Sequence, residues 1–485
     1  MSVRINHNRA AINAHRNLLA NENALGKSLE KLSSGIAVNR ASDGPASLVI
    51  SEQLRAQVKS LNQAVTNSEQ AISLVQTTEG ALNEVNRLLV NMRQLSIHAA
   101  NEGANDEIML QADQLEIDNA LQTIDRIASQ TQFGNKLLLD GSNGVAGIGI
   151  GEGIEFLGAS VNTQSSTGSG YDLEITKNAS KATVRGTAAL TEDIVQAGET
   201  FTIIEGGKTV SFTTSDSDTV DTAAQRLAGA VKDAGLQVEV MKDDAGALTV
   251  THMEFGSDYE FQVSSTTTGV LSKTAGSIDT ISNGDDIAGR INGESAQGKG
   301  QILTGAKGAA NIDGLKIGYW GTAAEGSELP KEGVLVGNVS VTQNSLNFQI
   351  GGNRNQTAAI SLFNTSSLNL AKGVNNESDF SRLRDIAVTS SEGAQDSLVL
   401  IDSAINEITS IRGELGAFQK NTLEGNLSNL RIASENLVAA ESTVRDVDMA
   451  SEMANFTRNQ IMTESATAML AHANNMPNSI LKLLG

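Results

Sequence analysis

The chain of 485 residues contains no cysteine, only three prolines and a single tryptophan. Without cysteine it can form neither a disulfide framework nor a cysteine-ligated metal site. Aromatic residues make up 3% of the sequence, so we expect the helical parts to be packed mostly by aliphatic side chains. Acidic residues outnumber basic ones, and the formal net charge of −21 argues against a nucleic-acid partner, because such binding requires a basic surface.

Long hydrophobic runs are also missing. The N-terminus, MSVRINHNRAAINAH, has no apolar core of a secretory signal, and no segment resembles an 18-residue membrane span. We therefore expect no membrane partner and no Sec-dependent secretion. Such a chain would stay in the cytoplasm unless a dedicated export apparatus reads its N-terminus.

Catalytic and metal-binding patterns are absent from the sequence. The five histidines lie far apart, with no pair at metal-ligand spacing on one helix face (His7, His15, His98, His252 and His472). The segment GESAQGK at 293–299 matches a phosphate-binding loop only in part, because Gly300 stands where Ser or Thr would bind magnesium. We predict neither an enzyme nor a cofactor.

Both ends of the chain carry apolar residues three and four positions apart, which is the pattern of a coiled-coil seam. A long helix with one narrow apolar stripe needs a second helix to cover it. We therefore predict a helical hairpin made by the two ends. The residues predicted to pack it are Leu54, Val58, Leu61, Val65, Leu89, Leu398, Ile401, Ile405 and Leu430.

The middle of the chain has a different character. Between about 141 and 372, Gly, Thr, Ser and Asp separate short β-prone runs. One stretch, 221–234, is helical by pattern and lies between two hairpin-like segments. The fold class predicted is α+β and multidomain, with a long coiled-coil-like α-helical hairpin formed by both chain ends and β-rich outer domains inserted in the middle.

The first forty residues hold six Lys or Arg and only two Glu. This local excess of positive charge has two interpretations. It is either a solvated helix face or a contact with acidic neighbouring subunits.

Several segments resemble bacterial flagellins. Near the N-terminus these are LSSGIAVNRASDGPASLVISE at 32–52 and IDRIASQTQFGNKLLLDG at 124–141. At the other end they are RGELGA at 412–417, ESTVRDVDMASE at 441–452, and the tail QIMTESATAMLAHANNMPNSILKLLG at 460–485. The resemblance covers about residues 1–142 and 375–485 in the correct order at both ends, so it is more specific than a short motif.

The resemblance implies a subunit that polymerises through its terminal helices into a hollow helical filament for swimming. Residues 1–43 and 451–485 would form the inner core, disordered in the monomer; 44–170 and 340–450 the outer core; and 171–339 the variable surface-exposed β-rich part. Within this last part, 198–264 resembles an insert motif. The predicted polymerisation seam is Leu18, Leu25, Leu29 and Leu32 facing Met462, Met469 and Leu481.

The resemblance also implies partners and a location. The partners are other copies of the chain, the flagellar type III export apparatus with an export chaperone, and the filament cap and hook-associated proteins. The location is extracellular, in the flagellar filament. Two alternatives stay open, a hook-filament junction protein and a filament subunit whose middle domain also acts as an adhesin.

A host innate immune receptor binds the convex face of the long helix in many members of the resembled family. The segment RQLSIHAAN at 93–101 aligns a family leucine with Leu95 and a family glutamate with Glu116, but the family arginine falls on Asn91. Asparagine lacks the charged, forked donor of arginine. Weak activation of the receptor is therefore expected.

Overall fold

A computed structural model describes residues 7–101, 103, 105–243, 245–321 and 333–484, with 477–484 described by their helical backbone only. Long helices occupy both ends of the chain, and the middle is rich in β-structure. The helices are α1 (Arg9–Ser34), α2 (Pro45–Ala99), α3 (Glu107–Gln130), α4 (Glu192–Gln196), α5 (Val220–Asp233), α6 (Ser391–Ala417), α7 (Gly425–Arg445) and α8 (Met449–Leu484). A π-helical segment, Phe418–Glu424, connects α6 to α7.

The helix ends follow local sequence signals. The side chains of Asn8, Asp106 and Ser390 accept hydrogen bonds from the first turns of α1, α3 and α6. Pro45 occupies the first turn of α2, where its missing N–H costs nothing. Gly35 ends α1 in the left-handed region, at φ +72°, as glycine can without strain.

The chain divides into two compact units. The first comprises Met1–Ile72, Phe348–Ala358 and Gln419–Gly485, and the second Ser73–Asn347 and Ala359–Phe418. In the first unit, α2 and α7 are joined by polar contacts on either side of buried apolar residues. Ser434 donates to Asn62 at 2.9 Å, and Arg445 pairs with Glu52 at 2.6 Å.

In the second unit the rest of α2 and helices α3 and α6 bury their apolar stripes. Polar contacts join them, with Arg93 of α2 at 2.6 Å from Asp402 of α6 and His98 of α2 at 2.6 Å from Asp113 of α3. These helices contribute the buried residues Leu82, Val85, Leu89, Met92, Ile117, Leu121, Ile124, Leu400, Ile401, Ala404 and Ile408.

The strands lie between α3 and α6. They are β1 (Gln132–Phe133), β2 (Lys136–Leu137), β3 (Val145–Ile150), β4 (Ile154–Gly158), β5 (Tyr171–Lys177), β6 (Lys181–Arg185), β7 (Thr200–Glu205), β8 (Lys208–Thr213), β9 (Val238–Lys242), β10 (Leu248–Phe255), β11 (Phe261–Ser265), β12 (Asp279–Thr280), β13 (Ala288–Ile291), β14 (Glu294–Lys299), β15 (Ile302–Gly305), β16 (Lys316–Tyr319), β17 (Val334–Gln343), β18 (Leu346–Gln349) and β19 (Thr357–Ile360).

Eight of these strands form one antiparallel sheet in the order β3-β17-β5-β13-β14-β15-β16-β4. Its buried side is packed by Leu173, Ile175, Leu303, Ile317 and Val339. The predicted domain limits at 170/171 and 339/340 fall inside this sheet, because β3 and β17 pair along their lengths and β4 pairs with β16. The alternating glycines at 147–153 belong to β3 and to the turn before β4, where Phe156 and Ile154 pack against the glycine backbone.

A separate core fills the segment between β5 and β13. Two small sheets, β6-β10-β9 and β12-β11-β7-β8, surround α5, and their buried centre includes Phe201, Phe261, Leu227 and Val250. The predicted helix at 221–234 is α5 (Val220–Asp233), and the strands predicted around it are present. The core runs from Ala182 to Ile281, which is wider than the predicted 198–264. We call residues 181–281 the inserted unit.

Candidate assembly surface

The terminal helices α1 and α8 pack against each other in an antiparallel pair. Near the start of α1, the side chain of Asn8 donates to the backbone carbonyl of Ala473 at 2.7 Å. Near its end, Asn459 lies 3.4 Å from the hydroxyl of Ser28. Among the described side chains of this pair, the most buried are small, Ser28 on α1 and Ala473 on α8.

The four leucines of the predicted seam do not share one face of α1 within a single chain. Leu18, Leu25 and Leu32 are half-buried on the same face of α1 as Ser28, in a heptad register. Leu29 lies outside that face and is 57% exposed.

Within one chain, the α8 methionines predicted to face these leucines are exposed to solvent. Met462 and Met469 are 45% and 64% exposed, while the partly buried face of α8 carries Asn459, Thr463 and Leu470. The methionines lie at other positions around the helix than this partly buried face. The side chain of Leu481 lies outside the described residues, and the role of all seven residues in polymerisation stays a prediction.

The outward faces of α1 and α8 present large apolar side chains to solvent. Large apolar side chains left exposed on a helix pair are a feature of association surfaces. We call this set the outward apolar surface: Ile12, Leu19 and Leu29 on α1, with Met453, Ile461, Met462, Met469 and Met476 on α8. Sequence reasoning missed Ile12, Leu19, Met453 and Ile461. The spacing of seven between Ile12 and Leu19 was the available signal.

The connections from the terminal helices to α2 and α7 are fixed to each other. Ile36 and Asp446 form an antiparallel bridge, flanked by hydrogen bonds from the amide of Ala37 to Arg445 at 2.7 Å and from Val447 to Gly35 at 3.0 Å. The two chain ends therefore enter their helices from one tied junction.

Charged groups support this junction. A hydrogen bond from the backbone amide of Arg40 holds the pKa of the Asp43 carboxyl below its usual range, with Lys27 and Lys31 adding to the effect. The side chain of Arg445 likewise lowers the pKa of Glu52. Arg40 also pairs with Glu30 at 3.0 Å.

The residues predicted to pack the outer helices are either buried or half-buried. Val58, Leu89, Ile401 and Leu430 are buried, and Leu89 and Ile401 are completely so. The others are half-buried: Leu54, Leu61, Val65, Leu398 and Ile405. Their contribution to stability stays a prediction that mutation can test.

The three residues aligned with an immune-receptor contact lie on α2 and α3. Asn91 and Glu116 are exposed, and Leu95 is half-buried. Arg93 is already engaged, because its guanidinium donates to both carboxylate oxygens of Asp402 at 2.6 and 3.2 Å. That contact raises the pKa of Arg93 and occupies its forked donor.

Within the described residues, no group of three or more His, Cys, Asp or Glu side chains could hold a metal ion. The same residues include no helix long and apolar enough to cross a membrane. His252 is buried, and its ring stacks on Tyr259 with centroids 4.9 Å apart. The segment 293–299 forms a turn and strand β14.

Comparison with known proteins agrees with this arrangement. A family model for the bacterial flagellin N-terminal helical region matches residues 5–144, and one for the C-terminal helical region matches 398–484. A flagellin of Clostridium tyrobutyricum is 31% identical, over 97% of this chain and 98% of its own length. The chain belongs to the flagellin family. The prediction of a flagellar filament subunit, with long helices at both ends of a β-rich middle, is confirmed.

Other flagellins extend the comparison. A flagellin of Salmonella typhimurium is 29% identical over the full length of both chains. Among solved structures, FliC from Burkholderia pseudomallei matches 72% of this chain and 98% of its own with 17% identity and a TM-score of 0.25, a value too low to inform on the arrangement of this flagellin.

Proposed function

We propose that this flagellin polymerises through the outward apolar surface of α1 and α8, which neighbouring copies cover in the filament. The observation that carries the proposal is the exposure of large apolar side chains on a helix pair whose own buried residues are small. Covering such side chains contributes roughly 25 cal/mol per Å² of apolar area removed from water. Repeated along a helical polymer, that gain outweighs the cost of ordering each subunit.

The contrast between small buried side chains and large exposed ones also supports coupled folding and assembly. A helix pair that buries little within one chain gains most of its stability when a partner covers its outer face. We assign 1–43 and 451–485 to an inner core that folds on assembly. Residues 44–170 and 340–450 are assigned to an outer core and 171–339 to the filament exterior, with the eight-stranded sheet spanning the limit between them.

An inner core that folds late suits passage through a narrow export channel as an extended chain. We therefore propose secretion by the flagellar type III apparatus with an export chaperone. The filament cap and hook-associated proteins are further proposed partners. The role is structural rather than enzymatic, and the match to flagellins at both ends favours a filament subunit over a hook-filament junction protein.

A weak response of the host innate receptor is also proposed. Its support is Asn91, which is exposed on α2 where the resembled family carries arginine. Arg93 cannot substitute without giving up its two hydrogen bonds to Asp402.

A matched pair of substitutions tests the assembly surface. Met469 on α8 and Met241 on the inserted unit are 64% and 55% exposed. Met469→Glu should block seeded polymerisation, because a buried, unpaired carboxylate would form at the contact. Met241→Glu should polymerise normally, and both monomers should keep the wild-type unfolding transition. Normal filaments from Met469→Glu would refute the proposed surface.

A further inference from the structure

The inserted unit and the eight-stranded sheet line an open cavity of about 350 Å³, within the range of small-molecule sites. One wall is the outer face of β15 and β16. Ile302 pairs with Gly318 and Thr304 with Lys316 in this sheet, so their side chains share the face that also carries Trp320. The opposite wall is the end of β10 and the turn after it, including Phe255 and Tyr259.

Trp320 is the only tryptophan of the chain. Its indole ring packs against two glycines. A Cβ atom on Gly318 or Gly373 would overlap the six-membered ring of its indole. The ring can therefore lie at this position only because both residues lack a Cβ atom. Although it is seated in this way, Trp320 is 37% exposed and lines the cavity.

The opposite wall is held in place by polar contacts. Asp286 accepts hydrogen bonds from the hydroxyl of Ser257 at 2.6 Å and from the amide of Gly300 at 2.8 Å. Asp258 pairs with Lys299 at 2.9 Å, and Tyr259 stacks on His252. Through Asp258, the turn after β10 is thus held to Lys299 at the end of β14.

The charges lining the cavity are balanced. Lys299, Lys316 and Lys372 face Glu254, Asp258 and Asp286. Lys299 is paired with Asp258, and Lys372 is paired with Glu155 at 3.3 Å. Among the described residues, Lys316 and Glu254 form no ion pair, which leaves one donor group and one acceptor group for a ligand.

We propose that this cavity is a binding site for a neutral oligosaccharide. The C–H face of a pyranose ring suits the negative face of an indole, and sugar hydroxyls can accept from Lys316 and donate to Glu254. Among the described lining residues, a polyanion such as nucleic acid would find one unpaired lysine, in a chain of net charge −21. The site is independent of the assembly surface on α1 and α8.

The fluorescence of Trp320 tests the proposal directly, because no other tryptophan contributes. Full-length protein is titrated with lactose, maltose and N,N′-diacetylchitobiose. At least one of these should shift the emission to the blue and saturate with a Kd on the order of 1 mM. 3′-Sialyllactose should bind no more tightly than lactose. A signal that stays unchanged with all three neutral sugars, or tighter binding of the sialylated sugar, would overturn the proposal.

Saturation-transfer NMR measures sugar binding without the fluorescence of the indole, so it also applies to variants that lack Trp320. Trp320→Ala should weaken binding of the best neutral sugar at least about tenfold, through lost stacking and apolar contact. Glu254→Gln should weaken it several-fold, and Glu239→Gln, an exposed acid on β9, should leave it unchanged. Equal binding by Trp320→Ala and wild type would refute the site. Seeded polymerisation of the same variants reports on the filament role separately.

Discussion

The side chain of Asn8 links the two ends of the chain. Its Nδ2 donates to the carbonyl of Ala473 at 2.7 Å, and its Oδ1 accepts from the amide of Ala11 at 3.0 Å. One residue therefore caps α1 and fastens it to α8, 465 positions away in sequence. This residue therefore holds the start of α1 against α8.

Truncation should separate assembly from folding. Removing 1–40 or 451–485 should leave a soluble, folded monomer that no longer polymerises, since α2, α6 and α7 keep their buried seam. Circular dichroism and electron microscopy after seeding measure the two properties. Filaments from either truncated protein would show that the inner core is assigned to the wrong segments.

The control for truncation is removal of the inserted unit. Lys177 and Ala288 are paired neighbours in β5 and β13, so deleting 179–286 and closing the gap with a short glycine turn leaves this sheet connected. We expect this variant to polymerise, because it removes no residue of the terminal helices, although Lys232 of the inserted unit pairs with Glu392 at the start of α6.

Leu89 tests the packing of the long helix. It is completely buried, whereas the adjacent Val90 is 41% exposed. Leu89→Asp should cost on the order of 4 kcal/mol by burying an unpaired carboxylate, and Val90→Asp should cost far less. Thermal unfolding followed at 222 nm compares the two variants. Equal transition temperatures would show that the assigned register is mistaken.

The buried carboxyl of Glu407 leads us to expect that the free energy of unfolding depends on pH near neutrality. Burial raises the pKa of this carboxyl to about 7 from 4.5, although it accepts a hydrogen bond from the amide of Ala371 at 3.1 Å. The folded protein thus holds a proton that the unfolded chain releases above pH 4.5. The resulting stability is fully present below pH 4.5 and lost as the pH rises through about 7, a change of roughly 3 kcal/mol.

Glu407→Gln should remove this dependence. The amide mimics the protonated carboxyl, so the variant should be less sensitive to pH than wild type between pH 5 and 8. Glu414→Gln, an exposed position on the same helix, is the control. Urea unfolding at several pH values gives the free energies, and parallel curves for wild type and Glu407→Gln would contradict the prediction.

Receptor recognition can be tested by restoring the missing charge. Asn91→Arg should raise the potency of this flagellin in receptor-expressing cells, because arginine supplies a forked donor that asparagine lacks. Gln76→Arg adds the same charge to an exposed position of α2 about 22 Å away, and it should have no effect. Full potency of the wild-type protein without gain from Asn91→Arg would rule out the proposed deficit.

The sequence was sufficient to predict the elements that carry a strong local period. The helical hairpin made by the two ends could be predicted, because apolar spacing and capping residues act within a few turns. The strands around α5 were predicted for the same reason, as short β-prone runs separated by glycine and polar residues.

Contacts set by tertiary packing could not be predicted. The outward position of Met462 and Met469 depends on which face of α8 meets α1, and both faces carry apolar residues. The buried leucines Leu415, Leu423 and Leu430 are spaced by eight and seven residues, and the π-helical segment Phe418–Glu424 takes up this irregularity. The cavity beside Trp320 depends on pairing among β14, β15 and β16, which no local pattern reveals.

The pairing of Lys177 with Ala288 has a consequence for how this flagellin can diverge. Neighbouring antiparallel strands place the two Cα atoms about 5 Å apart, so the segment between them leaves and re-enters the sheet at one point. A polypeptide whose own ends meet can replace it while the sequence of the terminal helices stays unchanged. The positions of Lys177 and Ala288 therefore suit the exchange of one inserted domain for another, both in evolution and in the engineered display of a foreign domain.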